Sequence, residues 1–210
     1  MTAGRPSAPA YHDGGPNPVR PFALTLDFPN GPLAPSRGLV RKLSDMASFF
    51  EDQVAVSESL RAGNDPVIYR SHEAEVPERP GNLAFLTTTI AAGKVGSEFY
   101  MTRGHHHMQD SGEFYLGMSG EGLMVMESRD GEFASEPLVP SLTVYVPPGW
   151  AHRTVNTGPG PLVFLAVYFA GAGHDYRAVE RFGFSQRVYQ GADGPELRPP
   201  SLAGGLGGPQ

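Results

Sequence analysis

Glycine and proline recur too densely along this chain for long helices to form. The 210 residues include 27 Gly and 21 Pro, well above the ordinary usage of these two residues in globular proteins. Both weaken helix interiors, because glycine loses much backbone entropy on folding and proline lacks the amide hydrogen of an interior turn. The composition therefore favours a turn-rich, all-β protein over a helical bundle or a coiled coil.

Short apolar and β-branched segments follow one another after Asp65, separated by turn residues. Asp130-Gly131 can form a tight hairpin turn, Gly158-Pro159-Gly160 a wider one, and Pro147-Pro148 cannot lie inside a central strand. So many short strands predict a sandwich or a closed barrel. The predicted strands are Val67–Tyr69, Ala84–Ile90, Glu98–Met101, Glu113–Met118, Leu123–Glu127, Phe133–Leu138, Leu142–Val146, His152–Asn156, Leu162–Phe169 and Arg187–Gln190.

One segment before the strands has helical periodicity. Leu39, Leu43, Met46 and Phe50 recur at spacings of three and four residues, which is the period of an amphipathic helix. We therefore expect one short helix between Leu39 and Asp52.

Both ends of the chain differ in composition from its centre. They are rich in Pro and Gly and contain too little apolar surface to offset the entropy of ordering. The sequence predicts a flexible N-terminal arm over residues 1–20, a single folded domain over 21–190 and a flexible C-terminal tail over 191–210.

Charge and composition exclude several classes of function. The formal net charge is −6, which argues against the broad basic surface that nucleic-acid binding requires. The sequence contains no apolar run long enough to span a membrane and no secretory signal, so we expect a soluble, cytoplasmic protein without a membrane partner. Because there is no Cys, any bound metal must be held by His and carboxylate side chains.

Histidines are concentrated in one stretch of the chain. Gly104-His105-His106-His107 is followed closely by Glu113, and His152 follows a Pro-Pro turn. In a strand His105 and His107 point to the same face while His106 faces away. Three imidazoles and one carboxylate suit Fe²⁺, Mn²⁺, Ni²⁺ or Zn²⁺. The alternative, ordinary surface or core histidines, fits each residue alone but fits the grouping less well.

The order of these motifs resembles the two metal-binding motifs of the cupin superfamily. More specifically, RKLSDM at 41–46, GKVGSEFYMTRGHHH at 93–107, YVPPGWAHRTVN at 145–156 and FLAVYFAGAGHDY at 164–176 are similar to the archaeal-type, cupin-fold glucose-6-phosphate isomerases. The similarity extends from about residue 20 to about residue 190. It implies a single double-stranded β-helix barrel, a jelly-roll-like fold, with a short N-terminal helix and flexible ends.

This resemblance implies a reaction and its residues. The chain would interconvert glucose 6-phosphate and fructose 6-phosphate, in glycolysis or gluconeogenesis, as a homodimer that binds one divalent metal per chain, with Fe²⁺ expected first. Glu113 would be the base that moves a proton through a cis-enediol, helped by Tyr115 and His174, while the metal polarises the C1 and C2 oxygens. The implied metal ligands are His105, His107, Glu113 and His152. The implied sugar-phosphate pocket contains Tyr69, Thr88, Thr102, Arg103, Gly104, Tyr115, Tyr168, His174 and Tyr176, and Arg103 and Lys94 are candidates for the phosphate cation.

Three departures from the family pattern leave alternatives open. The connection from His107 to Glu113 is one residue shorter, so Glu113 either meets the histidines or is displaced in register. Gly149 and Arg103 stand where the family has Tyr and Lys, and Arg presents a planar fork instead of a point charge. A hydride shift in place of proton transfer, another sugar-phosphate substrate, a dioxygenase reaction and a non-catalytic metal- or sugar-binding cupin are the competing interpretations.

Overall fold

The structure, a computed structural model, describes residues 19–79 and 81–201. All but the last two residues of the predicted N-terminal arm lie outside this part of the chain. The helical elements are α1 (Leu43–Met46), a 3₁₀ turn (Ala47–Phe49), α2 (Gln53–Arg61) and α3 (Arg177–Phe182). The strands are β1 (Thr25–Leu26), β2 (Leu33–Ala34), β3 (Arg37–Lys42), β4 (Val67–Glu73), β5 (Leu83–Ile90), β6 (Lys94–Val95), β7 (Glu98–Phe99), β8 (His106–His107), β9 (Glu113–Ser119), β10 (Gly122–Ser128), β11 (Phe133–Leu138), β12 (Thr143–Val146), β13 (Trp150–Asn156), β14 (Leu162–Phe169), β15 (His174–Asp175), β16 (Arg187–Gln190) and β17 (Pro195–Arg198).

Two antiparallel sheets form the barrel. The larger sheet has the strand order β12-β9-β14-β5-β4-β3, and the smaller has the order β11-β10-β13. Buried side chains from both sheets pack into one core, whose fully enclosed members include Ile68, Ile90, Met124, Leu138 and Leu162. The predicted all-β class is confirmed, and the two sheets pack around a shared interior.

The ten strands predicted from the sequence are all present. Phe133–Leu138, Leu162–Phe169 and Arg187–Gln190 have the predicted bounds. The turn residues act as expected, because Gly131 has a φ of 86° in the connection from β10 to β11 and favours that left-handed backbone. Short apolar segments and the turn residues between them therefore located eight of the nine strands in these two sheets, and β3 is the exception.

The predicted helix between Leu39 and Asp52 is wrong at its start. Leu39 lies in β3, which pairs with β4 through Lys42, and α1 begins only at Leu43. The side chain of Asp45 accepts the Lys42 amide at 2.9 Å and so fixes this start. Spacings of three and four suited the helix, but the first of these apolar residues belongs to an edge strand.

A second helix was not predicted. It is α2, and its N-terminus is capped by Asp52, whose carboxylate accepts the Ala55 amide at 2.8 Å. Its only buried residue is Val56, so the apolar stripe that identifies an amphipathic helix in a sequence is nearly absent. The capping residue was the available signal.

The tail predicted as flexible from residue 191 contains a strand. β17 pairs antiparallel with β16, and the Arg198 guanidinium lies 3.6 Å from the centre of the Tyr189 ring. The Gly-Ala-Asp-Gly sequence at 191–194 is the hairpin turn, in which the Gly191 amide donates to the Gly194 carbonyl at 2.8 Å. Composition alone favours disorder here, because Gly and Pro are typical both of loose segments and of turns. Residues 202–210 lie outside the described residues.

Candidate active site

The barrel interior is lined by every second residue of five strands. A cavity of about 340 Å³ opens there. Strand alternation turns these positions inward together. They are Tyr69, Ser71 and Glu73 of β4, Leu86 and Thr88 of β5, Glu113 and Tyr115 of β9, His152 and Thr154 of β13, and Phe164, Ala166 and Tyr168 of β14.

Three histidines and one glutamate meet at one end of this cavity. One ligand atom from each of His105, His107, Glu113 and His152 lies within 4.8 Å of the others. The Nε2 atoms of His105, His107 and His152 lie 3.9, 3.1 and 2.8 Å from the same oxygen, Oε2 of Glu113. The short connection before Glu113 therefore does not displace it from the histidines.

Backbone carbonyls determine which ring nitrogens face the centre. Nδ1 of His107 lies 2.9 Å from the Ser111 carbonyl oxygen, and Nδ1 of His152 lies 3.2 Å from that of Trp150. A carbonyl oxygen only accepts, so each Nδ1 carries the hydrogen, and in the neutral imidazole Nε2 keeps its lone pair. Outer partners of this kind orient metal-binding histidines in other proteins.

The donor set fits a divalent cation. The Nε2 lone pairs of His107 and His152 face Oε2 of Glu113, which is also an acceptor, so these atoms repel one another. A cation bound between the two nitrogens and this oxygen would replace the repulsion with attraction. Nε2 of His105 is buried and has no hydrogen-bond partner among the described residues, which is costly unless another group binds it. Three imidazole nitrogens with one carboxylate are ligands that first-row divalent metals accept.

Electrostatics favour the deprotonated forms of His105 and Glu113, whereas contact with Glu113 raises the pKa of His107 despite its burial. Burial, with His152 and His174 close by, holds the pKa of His105 well below its usual range. Burial opposes ionisation of Glu113, yet the neighbouring His152 and His107 hold its pKa far below the usual range. At neutral pH the cluster thus offers an ionised carboxylate beside a neutral imidazole.

The same cavity also presents hydroxyls and guanidinium groups. Tyr69, Thr88, Thr102, Arg103 and Gly104 all line it. Burial raises the pKa of Tyr69, so its phenol stays protonated and can donate. The Arg103 Nε is buried without a hydrogen-bond partner in the described part of the chain. Arg37 also lines the cavity but pairs with Glu73, and Arg103 donates to the Asp45 carbonyl through Nη2 at 3.0 Å. The neutral donors beside the Arg103 guanidinium form a surface suited to an anion.

His174, Tyr168 and Tyr176 lie beside the clustered histidines. β15 pairs with β8 and places His174 opposite His107. The His174 ring centre lies 4.4 Å from that of His105 and 5.8 Å from that of Tyr176, with which it stacks. Burial lowers the pKa of His174, so it is neutral at physiological pH.

Lys94 and His106 lie away from this cavity. Lys94 donates to Gln190 at 3.2 Å and lies over the Phe99 ring, so this candidate for the phosphate cation is wrong. His106 faces the opposite side of its strand, as expected, and lines a separate surface depression with Glu127 and Arg129. Gly149 is outside the cavity too, and an added Cβ there would meet nothing within 4 Å.

Two polar residues of β4 in the cavity wall, Ser71 and Glu73, were not found from the sequence. Glu73 accepts the Tyr168 hydroxyl at 2.9 Å and also pairs with Arg37. The Ser71 and Thr88 hydroxyls lie 2.8 Å apart. Ser71 and Glu73 continue the strand that was predicted to end at Tyr69, and alternation from Tyr69 was the signal that would have identified them.

Comparison with known proteins identifies the family. A family model described as glucose-6-phosphate isomerase (GPI) matches residues 40–197. A glucose-6-phosphate isomerase of Thermococcus gammatolerans is 46% identical over 170 residues, covering 80% of this chain and 89% of the relative. One of Sinorhizobium medicae is 39% identical over 165 residues, covering 78% and 77%. An oxalate oxidase structure is similar with a TM-score of 0.45 and 18% identity, over 55% of this chain and 58% of that one.

The four clustered residues His105, His107, Glu113 and His152 all lie within the matched range. Of the cavity lining, only Arg37, Gly38 and Leu39 precede it. In the described part of the chain, no helix has both the length and the apolar character needed to cross a bilayer. The chain belongs to the cupin-type glucose-6-phosphate isomerase family of enzymes, whose fold is the one predicted for this two-sheet barrel.

Proposed function

We propose that this chain catalyses the metal-dependent interconversion of glucose 6-phosphate and fructose 6-phosphate. The observation that carries the proposal is the opening of one cavity onto both the histidine–glutamate cluster and the hydroxyl–guanidinium surface. A sugar phosphate has the same two-ended character, with an anion at one end and carbonyl chemistry at the other. The family membership supports the same substrate pair.

The phosphate is assigned to the end that contains Tyr69, Thr88, Thr102, Arg103 and Gly104. These residues supply hydroxyl, amide and guanidinium donors. Binding the phosphate there leaves C1 and C2 of the sugar toward the cluster at the other end. Holding the reacting atoms in this way supplies part of the rate enhancement.

Glu113 is assigned the proton transfer between C2 and C1. Its carboxylate takes the proton from C2 of the open-chain aldose, which gives a cis-enediol, and returns that proton to C1 to give the ketose. A divalent metal held by the cluster supplies the Lewis acidity that makes this C–H acidic enough for a carboxylate of low pKa. We assign Fe²⁺ as the metal, with Mn²⁺, Ni²⁺ and Zn²⁺ as candidates that the same ligands accept.

We assign to Tyr115 and His174 the transfer of protons to and from the sugar oxygens. The pKa of Tyr115 is raised by burial and by Glu113, so its phenol remains a donor. Neutral His174 carries one N–H and one lone pair and can accept a proton from one hydroxyl and return it to the other. Ring opening and the hydroxyl transfers need such a pair of groups.

The proposal is tested with glucose 6-phosphate that carries deuterium at C2. Purified, metal-loaded protein in ordinary water should form fructose 6-phosphate and lose deuterium to the solvent, which NMR detects at C1. Complete retention at C1 would replace proton transfer with a hydride shift and would remove the role of Glu113 as base. Absence of any fructose 6-phosphate would refute the isomerase assignment.

A homodimer that acts in the cytoplasm, in glycolysis or gluconeogenesis, completes the proposal. Edge strand β3 supports the dimer, because Leu39 and Val40 are 40% and 43% exposed on it and an unpaired edge favours association. Light scattering should give twice the chain mass of 22.5 kDa. A monomer mass at micromolar concentration would contradict this part of the proposal.

A further inference from the structure

Arg153 is a buried cation between two residues of the cavity. It follows His152 and precedes Thr154, and alternation along β13 turns its side chain away from the cavity that those two line. Arg153 is 3% exposed. Burying a charge is expensive unless it is paired or hydrogen-bonded, so the contacts of this guanidinium show what its burial achieves.

The main partner of Arg153 is the main chain of Arg103. Its Nε and Nη2 donate to the Arg103 carbonyl oxygen at 3.2 and 2.7 Å. Its guanidinium carbon also lies 4.8 Å from the centre of the Phe184 ring. Within the residues that the structure describes Arg153 has no ion pair, and Glu98 in the same region pairs with Arg187 at 2.9 Å.

The carbonyl that Arg153 holds belongs to a short irregular connection. At one end the Thr102 amide donates to the Thr154 carbonyl at 2.9 Å, and the Thr154 amide donates to the Thr102 hydroxyl at 3.1 Å. At the other end His105 and His152 exchange two backbone hydrogen bonds, at 3.2 and 3.1 Å. The same pair of chain segments therefore carries the phosphate surface and two of the clustered histidines.

Two residues oppose one residue between these ends. Arg103 and Gly104 lie opposite Arg153, as in a β-bulge, where the ladder cannot satisfy every carbonyl. Gly104 has a φ of 74°, and a Cβ there would lie 2.9 Å from the His152 carbonyl oxygen. The backbone approaches closely here, and the guanidinium supplies the donors that the neighbouring strand does not.

We propose that Arg153 is a positioning residue that fixes the Arg103–Gly104 peptide, and with it the phosphate end of the cavity, relative to the metal ligands. The identity of the phosphate ligand rests on the proposed function. The Thr102 hydroxyl already accepts the Thr154 amide, so its own proton is available to an anion. Loss of the Arg153 hydrogen bonds to the Arg103 carbonyl, here called the Arg153 clamp, moves the hydrogen-bond donors at the phosphate end without removing any of them.

The test compares removal of the Arg153 guanidinium with removal of another guanidinium, that of Arg187. Arg153→Met should raise KM for fructose 6-phosphate about tenfold while kcat falls less than about threefold, because binding at the phosphate end is lost and the cluster is kept. Arg153→Lys should recover part of KM, since an ammonium can donate one bond to the Arg103 carbonyl but cannot form the fork. Wild-type KM in Arg153→Met would overturn the proposal.

Arg187→Met is the matched control. Arg187 donates to the Phe49 carbonyl and to Glu98, each at 2.9 Å, and lies outside the cavity lining. Its loss should lower Tm and leave KM unchanged. An equal rise of KM in both variants would show that general destabilisation, and not the clamp, controls binding.

Two readouts separate this proposal from the proposed reaction. Calorimetric titration with fructose 6-phosphate measures binding even if the wild type shows no turnover, and Kd should rise in Arg153→Met but not in Arg187→Met. Amide hydrogen exchange in the segment 102–105 needs no ligand and should accelerate only in Arg153→Met. Unchanged exchange there would refute the positioning role whatever the enzyme catalyses.

Discussion

Nε2 of His152 lies 2.8 Å from Oε2 of Glu113, although 39 residues separate them in the chain. His152 belongs to β13 of the smaller sheet and Glu113 to β9 of the larger sheet. Their contact forms only when the two sheets close around the interior. The candidate metal ligands are therefore a product of barrel closure, which is why distant motifs of the sequence act together.

Replacing His152 with Ala should remove both metal and activity. The change deletes the imidazole of His152, which is 2% exposed, from the four-residue cluster. An incomplete ligand set holds a metal weakly. We expect turnover to fall more than about 100-fold, because loss of outer partners alone costs about 10- to 100-fold in such sites. Metal content per chain measured by mass spectrometry should fall with it, while His106→Ala, on the opposite side of its strand, should retain both. Full activity of His152→Ala in metal-depleted buffer would contradict the assignment.

Replacing Glu113 with Gln should separate proton transfer from substrate binding. The amide keeps the size of the side chain but cannot accept the C2 proton, so kcat should fall about 10²- to 10⁴-fold. Calorimetric Kd for fructose 6-phosphate should change far less, since the phosphate end is untouched. Glu121→Gln, at an exposed position, is the control for loss of one carboxylate. Near-normal kcat in Glu113→Gln would exclude this residue as the base.

Gly104→Ala should be more damaging than Gly63→Ala. The two glycines have nearly the same backbone, with φ values of 74° and 75°, but a Cβ at Gly63 meets nothing within 4 Å while one at Gly104 meets the His152 carbonyl at 2.9 Å. The left-handed backbone costs each alanine about 1–2 kcal/mol. Only Gly104→Ala should in addition raise KM and lower Tm further. Equal Tm and equal KM for the two variants would show that the close approach has no effect.

The stabilising effect of Asp65 should disappear in acid. Its carboxylate accepts the Ser44 amide at 2.9 Å and the Ser44 hydroxyl at 3.0 Å. These bonds, with the charge of Lys42, hold the pKa of Asp65 below its ordinary value of 3.8. Because the folded-state pKa is depressed, the contribution is present above the unfolded value and is lost as pH falls toward the folded one.

The corresponding measurement is thermal unfolding of Asp65→Ala at several pH values. Tm should lie below that of the wild type at pH 6, and the two should converge as pH falls below 3.8. Asp130→Ala, in the exposed turn between β10 and β11, controls for net charge. A difference in Tm that persists unchanged into acid would mean that Asp65 acts by some means other than its charge.

All the strands of the two barrel sheets except β3, and the grouping of the histidines, were predictable from local signals. Two-residue alternation places His105 and His107 on one face without any knowledge of the fold. The stiff Pro147-Pro148 turn indicated that His152 points inward. These predictions succeeded because strand period and turn chemistry are properties of a few adjacent residues.

The errors arose where a local pattern had two solutions. The spacing from Leu39 to Phe50 satisfies a helix, yet pairing with β4 keeps Leu39 extended. The Gly-Pro-rich tail has the composition of a loose segment and contains a hairpin. Lys94 is close in sequence to the cavity residues but points to Gln190. Contacts with residues distant in sequence determined the structure in each case, and a short stretch of sequence does not reveal such contacts.

The most direct test of the account is fructose 6-phosphate isomerisation before chelation, after chelation and after the return of a single metal. A coupled glucose-6-phosphate dehydrogenase assay measures glucose 6-phosphate formation, with Fe²⁺, Mn²⁺, Ni²⁺ and Zn²⁺ added back separately. We predict that activity is lost with the metal and restored by at least one of these ions at about one per chain. Full activity in the chelated protein, or none with any of the four metals, would contradict the account.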